Sequence, residues 1–192
     1  MSSKLIYGVG FNDGTHPTVV RGKSNTVYTL WKNLLRRCYD ARTQEKNPTY
    51  ISCTVSENFK SFSFFYEWTQ KQISFNQDGF QLDKDVLVKG NKLYSENTCL
   101  FLPRELNNLL TSSKAARGIL PLGVSKDKGR FRARCDTGVC QYLGGFDSPE
   151  EAFQAYKQVK EAFIKSQAEK WKAHIDPRAF AALMAYEVSI TD

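Results

Sequence analysis

Long apolar runs are missing from this chain of 192 residues. No stretch approaches the roughly 20 apolar residues that a membrane-spanning helix needs. Met1-Ser2-Ser3-Lys4 opens no signal-peptide pattern. Histidine is nearly absent: His16 and His174 are the only two, and they lie far apart. His16 stands in a loop before Pro17 and reads as a solvated residue rather than a ligand. No Cys-x-x-Cys pair occurs, and the five cysteines (Cys38, Cys53, Cys99, Cys135, Cys140) are odd in number and scattered. That argues against a disulfide framework and predicts a reduced, cytoplasmic chain using its thiols as small hydrophobes. Repeats, low-complexity tracts and coiled-coil heptads are also missing. Gly8-x-Gly10 is not followed by a helical pattern, which leaves a dinucleotide-binding reading without support.

What is present is a globular composition, 41% hydrophobic and 13% aromatic. The formal net charge is +7 and the isoelectric point about 9.1. A basic surplus favours nucleic acid, or an acidic membrane or protein surface.

Taken in order, residues 1–25 read as a strand and loop. Residues 26–39 predict a helix with Val27, Leu30, Trp31, Leu34, Leu35 and Cys38 on one stripe. Arg36 and Arg37 lie largely off it, free to touch phosphate or to complement the helix dipole. Residues 50–55 predict a strand. Residues 57–73 predict a helix whose inner face is Phe59, Phe62, Phe65, Tyr66, Thr69 and Ile73. Residues 82–88 are strand-like and 104–110 predict a short helix. Residues 111–118 are polar and basic and predict the domain boundary. A last helix over 178–187, started by Asp176-Pro177, packs on its neighbour or makes a dimer contact.

Residues 123–165 organise the second half: GVSKDKGRFRARCDTGVCQYLGGFDSPEEAFQAYKQVKEAFIK. They predict strands over 122–126, 130–136 and 140–146, with turns at 127–129 and 137–138. Alternation on the middle strand sends Phe131, Ala133 and Cys135 one way and Arg130, Arg132 and Arg134 the other. A long helix follows, capped at Ser148 with Pro149 first and Glu151 at the capping-box position. Phe153, Tyr156, Val159, Phe163 and Ile164 form the stripe that covers the sheet. Three arginines on the other face repel one another, a cost that a polyanionic partner removes.

GVSKDKGRFRARC, followed by YLGGFDSPEEAFQAY, resembles the AP2 family of DNA-binding modules. The resemblance implies a three-stranded sheet in the DNA major groove with a helix packed behind it. It implies that Arg132, Arg134 and Tyr142 face DNA, with Ser125 and Lys126 near it. Ser125, Lys128 and Asp136 stand where plant members carry Arg or Trp, so no sequence preference carries over. Upstream, LWKNLLRRCY, NPTY, CTVSENFKSFSFFYEW and LDKD…GNKLYSENTCLF resemble bacteriophage proteins related to HNH endonucleases, in which an AP2-like segment often follows. In their pattern an aspartate precedes the general-base histidine. Asp83 matches that aspartate and Lys84 takes the place of the histidine; a protonated lysine is a poor base at neutral pH. The closing Asn position is Thr98, and Leu100 replaces the usual Arg. Asp83 and Asp85 share a face on a regular strand and are candidate Mg²⁺ ligands with Asn91 or Asn97. Otherwise they pair with Lys84, Lys89 and Lys92 or cap a turn.

The combined expectation is an α+β chain. An HNH-like α+β domain spans 1–110, a linker 111–118, and an AP2-like domain 119–192. The latter has a three-stranded antiparallel sheet packed on a long helix and a C-terminal helical extension. The expected function is double-stranded DNA binding by a protein of phage or mobile-element origin, located in the host cytoplasm. Arg130, Arg132, Arg134 and Tyr142 would enter the major groove. Arg117, Lys126 and Lys128 would contact phosphates, with Ser125 beside them. The HNH-like half would be non-catalytic and need no cofactor. One alternative is a Mg²⁺-dependent HNH-type endonuclease using Asp83, Lys84 and Asp85, assisted by Asn97 or Thr98. The other is a phage factor that binds a host or defence protein. A homodimer stays open and a membrane partner does not.

Overall fold

A computed structural model describes residues 5–111 and 119–192. The fold is mixed α+β, 42% helical and 21% strand, and its sheets are small. The chain forms two compact units, Met1–Leu102 and Pro103–Asp192.

The first unit is built on an aromatic core. A hairpin of β1 (Val19–Val20) and β2 (Lys23–Ser24) leads into α1 (Thr26–Tyr39), with the bounds that periodicity predicts. Asn25 caps α1, its side-chain oxygen accepting from the Val27 N–H at 2.8 Å. Val27, Trp31, Leu34, Leu35 and Cys38 are buried along one stripe. The Trp31 indole N–H donates to the Phe59 carbonyl at 2.7 Å, which satisfies the ring's only polar atom inside the core. Gly10 lies so close to α1 that a Cβ there would sit 2.3 Å from Leu35 Cδ1, so only glycine fits.

The helix expected over 57–73 is shorter. After α2 (Ala41–Lys46) and β3 (Thr54–Val55) comes one 3₁₀ turn, Asn58–Lys60, and then α3 (Phe62–Gln70). The break falls at Ser61, whose extended backbone bridges to Phe11. Phe11 N–H donates to Lys60 O at 2.9 Å, and Phe62 N–H donates to Phe11 O at 3.0 Å. Those bonds hold Ser61 out of a helix, and its hydroxyl instead caps α3 by accepting from Phe64 N–H. Phe59, Phe62, Phe65 and Thr69 are buried as expected, but Ile73 lies past the helix and is exposed, and Trp68 completes the face. The strand expected over 50–55 is only β3, which pairs in parallel with β5 (Leu93–Tyr94). The strand expected over 82–88 is displaced to β4 (Phe80–Asp83), paired with β6 (Leu100–Pro103). Burial pushes the Cys38 and Cys99 thiols up to about 12, in keeping with use as small hydrophobes.

The second unit begins with α4 (Arg104–Leu110). Glu105 ties this helix to the unit through Lys170 Nζ at 3.0 Å and through the Trp171 indole N–H. Of the linker expected over 111–118, only Thr111 falls among the described residues. Then come β7 (Val124–Asp127), β8 (Arg130–Asp136) and β9 (Cys140–Phe146), antiparallel in that order. A two-residue turn at Lys128 and Gly129, both left-handed at φ 47° and 83°, joins β7 to β8. α5 (Pro149–Trp171) covers one face. Ser148 Oγ accepts from Glu151 N–H at 3.2 Å, as the capping pattern predicts. Phe153, Tyr156 and Ile164 are buried, and Cys135, Leu143 and Val124 meet the helix from the sheet. Gly123 is required twice over: its φ is +72°, and a Cβ there would lie 2.1 Å from the Tyr156 ring. The last helix, α6 (Pro177–Met184), packs on α5, so the first of its two expected placements is the one seen.

Candidate nucleic-acid interface

The outer face of the three-stranded sheet carries Ser125 and Asp127 from β7, and Arg130, Arg132, Arg134 and Asp136 from β8. Tyr142 and Gly145 come from β9. Cross-strand pairs assign them: Ser125 opposes Arg132, Asp127 opposes Arg130, Arg132 also opposes Gly145, and Arg134 opposes Tyr142. A bulge shapes this face. The β8–β9 register slips between Ala133 and Arg134, leaving Leu143 without a partner. In unbroken register Leu143 would stand opposite Arg134 on the outer face. The slip turns Leu143 into the core and places Tyr142, 60% exposed, opposite the arginine. Gly145 keeps the neighbouring surface low; a Cβ there would meet the Tyr142 hydroxyl at 3.4 Å and Arg130 Nη1 at 4.0 Å.

The three arginines are not equivalent, and this corrects the expected run of mutually repelling cations. Arg130 Nε donates to Asp147 Oδ1 at 3.1 Å, and its Nη2 donates to the Gly145 carbonyl at 3.1 Å. Arg132 is paired with Asp127 on the adjacent strand. Only Arg134, which is exposed, lacks an ion-pair partner among the described residues. Asp136 on the same face accepts from Gly138 N–H at 2.9 Å and so belongs to its own turn. Asp127, Asp136 and Asp147 thus balance the three arginines in formal charge, and Lys128 at the hairpin tip adds one exposed cation. Lys126 is exposed on β7. It pairs with Phe131, on the parity that faces α5, and its ammonium lies 5.7 Å from that ring. Arg117 falls outside the described residues.

In the first unit, Asp83 ends β4. Its Oδ1 accepts backbone N–H bonds from Asp85 at 2.8 Å and Val86 at 2.7 Å, so the buried carboxylate organises a turn. The regular strand that would have put Asp83 and Asp85 on one face is therefore not formed. Lys84 Nζ lies 2.6 Å from each oxygen of Asp85 and 2.5 Å from the Asn91 carbonyl, with the Tyr94 ring at 5.6 Å. Asn91 is committed as well, donating to the Lys84 and Leu93 carbonyls and accepting from Leu93 N–H. Thr98 Oγ1 donates to the Leu93 carbonyl at 3.0 Å. Three of the candidate Mg²⁺ ligands therefore already have partners: the Asp85 carboxylate meets Lys84, Asp83 Oδ1 accepts from two backbone N–H groups, and the Asn91 side-chain oxygen accepts from Leu93 N–H.

Burial raises the Asp83 carboxyl above its usual value of 3.8, although the two backbone N–H bonds oppose the shift. The sign follows: a raised folded-state value means the ionised form costs stability at neutral pH, and the cost vanishes as pH falls below that usual value. Asp83→Asn keeps the acceptor oxygen and removes the charge. It is expected to raise the melting temperature of the first unit at pH 7 and to leave it unchanged near pH 3. Calorimetry at the two pH values checks this; equal shifts at both would refute the charge argument.

Missed by sequence reading was the setting of His16. Its ring stacks on Tyr66 at 4.1 Å and its Nε2 lies 3.5 Å from Glu67, so it is packed rather than solvated. Comparison with known proteins returns no match: no family model, no curated protein and no solved structure.

Proposed function

We propose that the chain binds double-stranded DNA through the uncovered face of the β7–β9 sheet, as an AP2-like module would, with an HNH-like but non-catalytic first unit. The observation that carries this reading is the bulge at Leu143. It sets an unpaired arginine and an exposed tyrosine opposite one another on a face that α5 leaves open. A three-stranded sheet is narrow enough to lie in a major groove about 12 Å wide. Arg134 supplies a bidentate donor for a base edge. Arg130 and Arg132 are pre-oriented by Asp147 and Asp127 and exchange those partners for phosphate on binding. Lys128 adds a phosphate contact from the turn. Phage or mobile-element origin belongs to the same proposal and rests on the sequence resemblance.

Supercoiled plasmid mixed with the purified protein at low salt, in EDTA and separately in Mg²⁺, tests the reading. Samples run on one gel before and after deproteinisation. The expected result is retardation in both buffers with full recovery of the supercoiled form. Nicked or linear product in Mg²⁺ alone would establish the endonuclease instead. Neither retardation nor cleavage would leave an acidic protein partner as the reading.

A further inference from the structure

From Thr15 to Tyr39 the chain carries Arg21, Lys23, Lys32, Arg36 and Arg37, and no aspartate or glutamate. The first unit gathers four of these cations on one connected surface. Lys32 lies over the Tyr28 ring at 5.4 Å and Arg37 over the Tyr50 ring at 5.5 Å, but Lys32 remains exposed while Arg37 is half-buried and is the exception. The β1–β2 hairpin is fastened to the start of α1. Asn25 N–H donates to the Thr18 carbonyl at 2.9 Å, Asn25 Nδ2 donates to the Pro17 carbonyl at 2.9 Å, and the Ser24 and Thr29 hydroxyls bond at 2.9 Å. From Thr29, Lys32 and Arg36 follow three and seven residues on, along one exposed side of the helix. Arg21, Lys23, Lys32 and Arg36 have no ion-pair partner among the described residues. Asp13, the nearest acid in sequence to Arg21 and Lys23, is hydrogen-bonded to Thr15 and Ser63. Asp40, the nearest to Lys32 and Arg36, is hydrogen-bonded to Thr43, with Arg36 also helping to hold its carboxyl below the usual value. The helix dipole accounts for Arg36 at the C-terminal end and for none of the other three.

A second observation is independent of charge. Arg21 is held at φ 51°, ahead of Gly22 at φ 73°, in a turn position that favours asparagine, aspartate or glycine. All six residues from Val19 to Ser24 are exposed, so no packing compensates the arginine there. A long cation is kept at the tip of a two-strand hairpin against local backbone preference. Lys128 holds the same position, at φ 47°, in the hairpin of the sheet described above.

We propose that the β1–β2 tip and the outer side of α1 form a second nucleic-acid contact, one that grips the phosphate backbone. It rests on reading the chain as a DNA-binding protein, but uses residues separate from the β7–β9 sheet. Lysine and arginine without bidentate base geometry contribute through counterion release, so the contact is sequence-independent and salt-sensitive.

The test is fluorescence anisotropy with a short labelled duplex of arbitrary sequence, over a salt series, using the full chain. Arg21→Asn with Lys23→Gln is one variant and Lys32→Gln with Arg36→Gln another. Arg134→Ala with Tyr142→Ala reports on the sheet in parallel. Each of the first two is expected to reduce the slope of log affinity against log salt by roughly 2, close to 0.9 per phosphate contact. Arg21→Asn alone is expected to raise the melting temperature while weakening binding, a pair of opposite signs that a merely structural role would not give. Arg21→Lys with Arg36→Lys should preserve the slope. An unchanged slope in both first-unit variants overturns the proposal even if the sheet variant binds poorly. Altered slopes there with a normal sheet variant overturn the sheet reading and leave this one standing. Absence of duplex binding by the unaltered chain overturns both.

Discussion

Arg134→Ala is expected to weaken duplex binding by about 1–3 kcal/mol, roughly 5- to 150-fold, if the arginine reads a base edge. Arg132→Ala should cost less, because Asp127 already engages that guanidinium and part of its charge is neutralised before DNA arrives. The contrast is the useful part, since equal losses would mean that only total charge matters. Arg134→Lys separates the two roles: it keeps the charge and the salt slope but loses the forked donor geometry, so base preference should fall while non-specific affinity stays. Removing a competing acid works the other way. Asp127→Asn releases Arg132 and should tighten binding. Equilibrium titrations over a salt series measure all four. Unchanged affinity and unchanged base preference in both Arg134→Ala and Tyr142→Ala would sink the sheet-in-groove arrangement.

Trp31→Ala is expected to carry the largest stability loss, about 3–5 kcal/mol, the range for emptying a buried aromatic site. Trp31 is fully buried, and Phe62 and Tyr28 lie against it, with ring centroids at 5.4 Å and 5.9 Å. Its indole also serves the Phe59 carbonyl beside the 3₁₀ turn, and alanine would leave that acceptor short of its bond inside the core. Such a loss is comparable to the whole stability of many small domains. Because the chain has two compact units, hydrogen exchange resolved by segment is the right readout, not a single melting point. Protection should collapse across α1 and α3 and persist in α5. Loss of protection in α5 to the same degree would mean that the units do not unfold separately. Trp31→Phe, which keeps most of the volume, should cost clearly less.

The elements legible in the sequence were those defined by neighbouring residues. Periodicity gave α1 its bounds because five apolar side chains recur on one side within fourteen residues. Alternation gave β8, the turn at Thr137 and Gly138 placed β9 after it, and the Ser-Pro-Glu-Glu run gave the start of α5, because hairpin turns and helix caps are local chemistry. The separation of Arg130, Arg132 and Arg134 from Phe131, Ala133 and Cys135 follows from the two-residue repeat of a strand alone. The absence of long apolar runs likewise needed no coordinates.

Tertiary structure decided what those residues meet. Phe11 lies fifty residues before Ser61, yet its bridge to Ser61 ended the helix that propensity would have continued. The turn that Asp83 organises took shape only where its two backbone donors were brought to its carboxylate. Lys84 became an internal counterion because folding brought Asp85 and Asn91 around its ammonium. The sheet face shows the division most clearly. Sequence put three arginines on one side, but register and a single bulge chose their partners: Asp127 for one, Asp147 for another, and Tyr142 across from the third. Register is set by pairing between strands and by side chains seeking the core, and those are properties of the whole unit rather than of any one stretch of it.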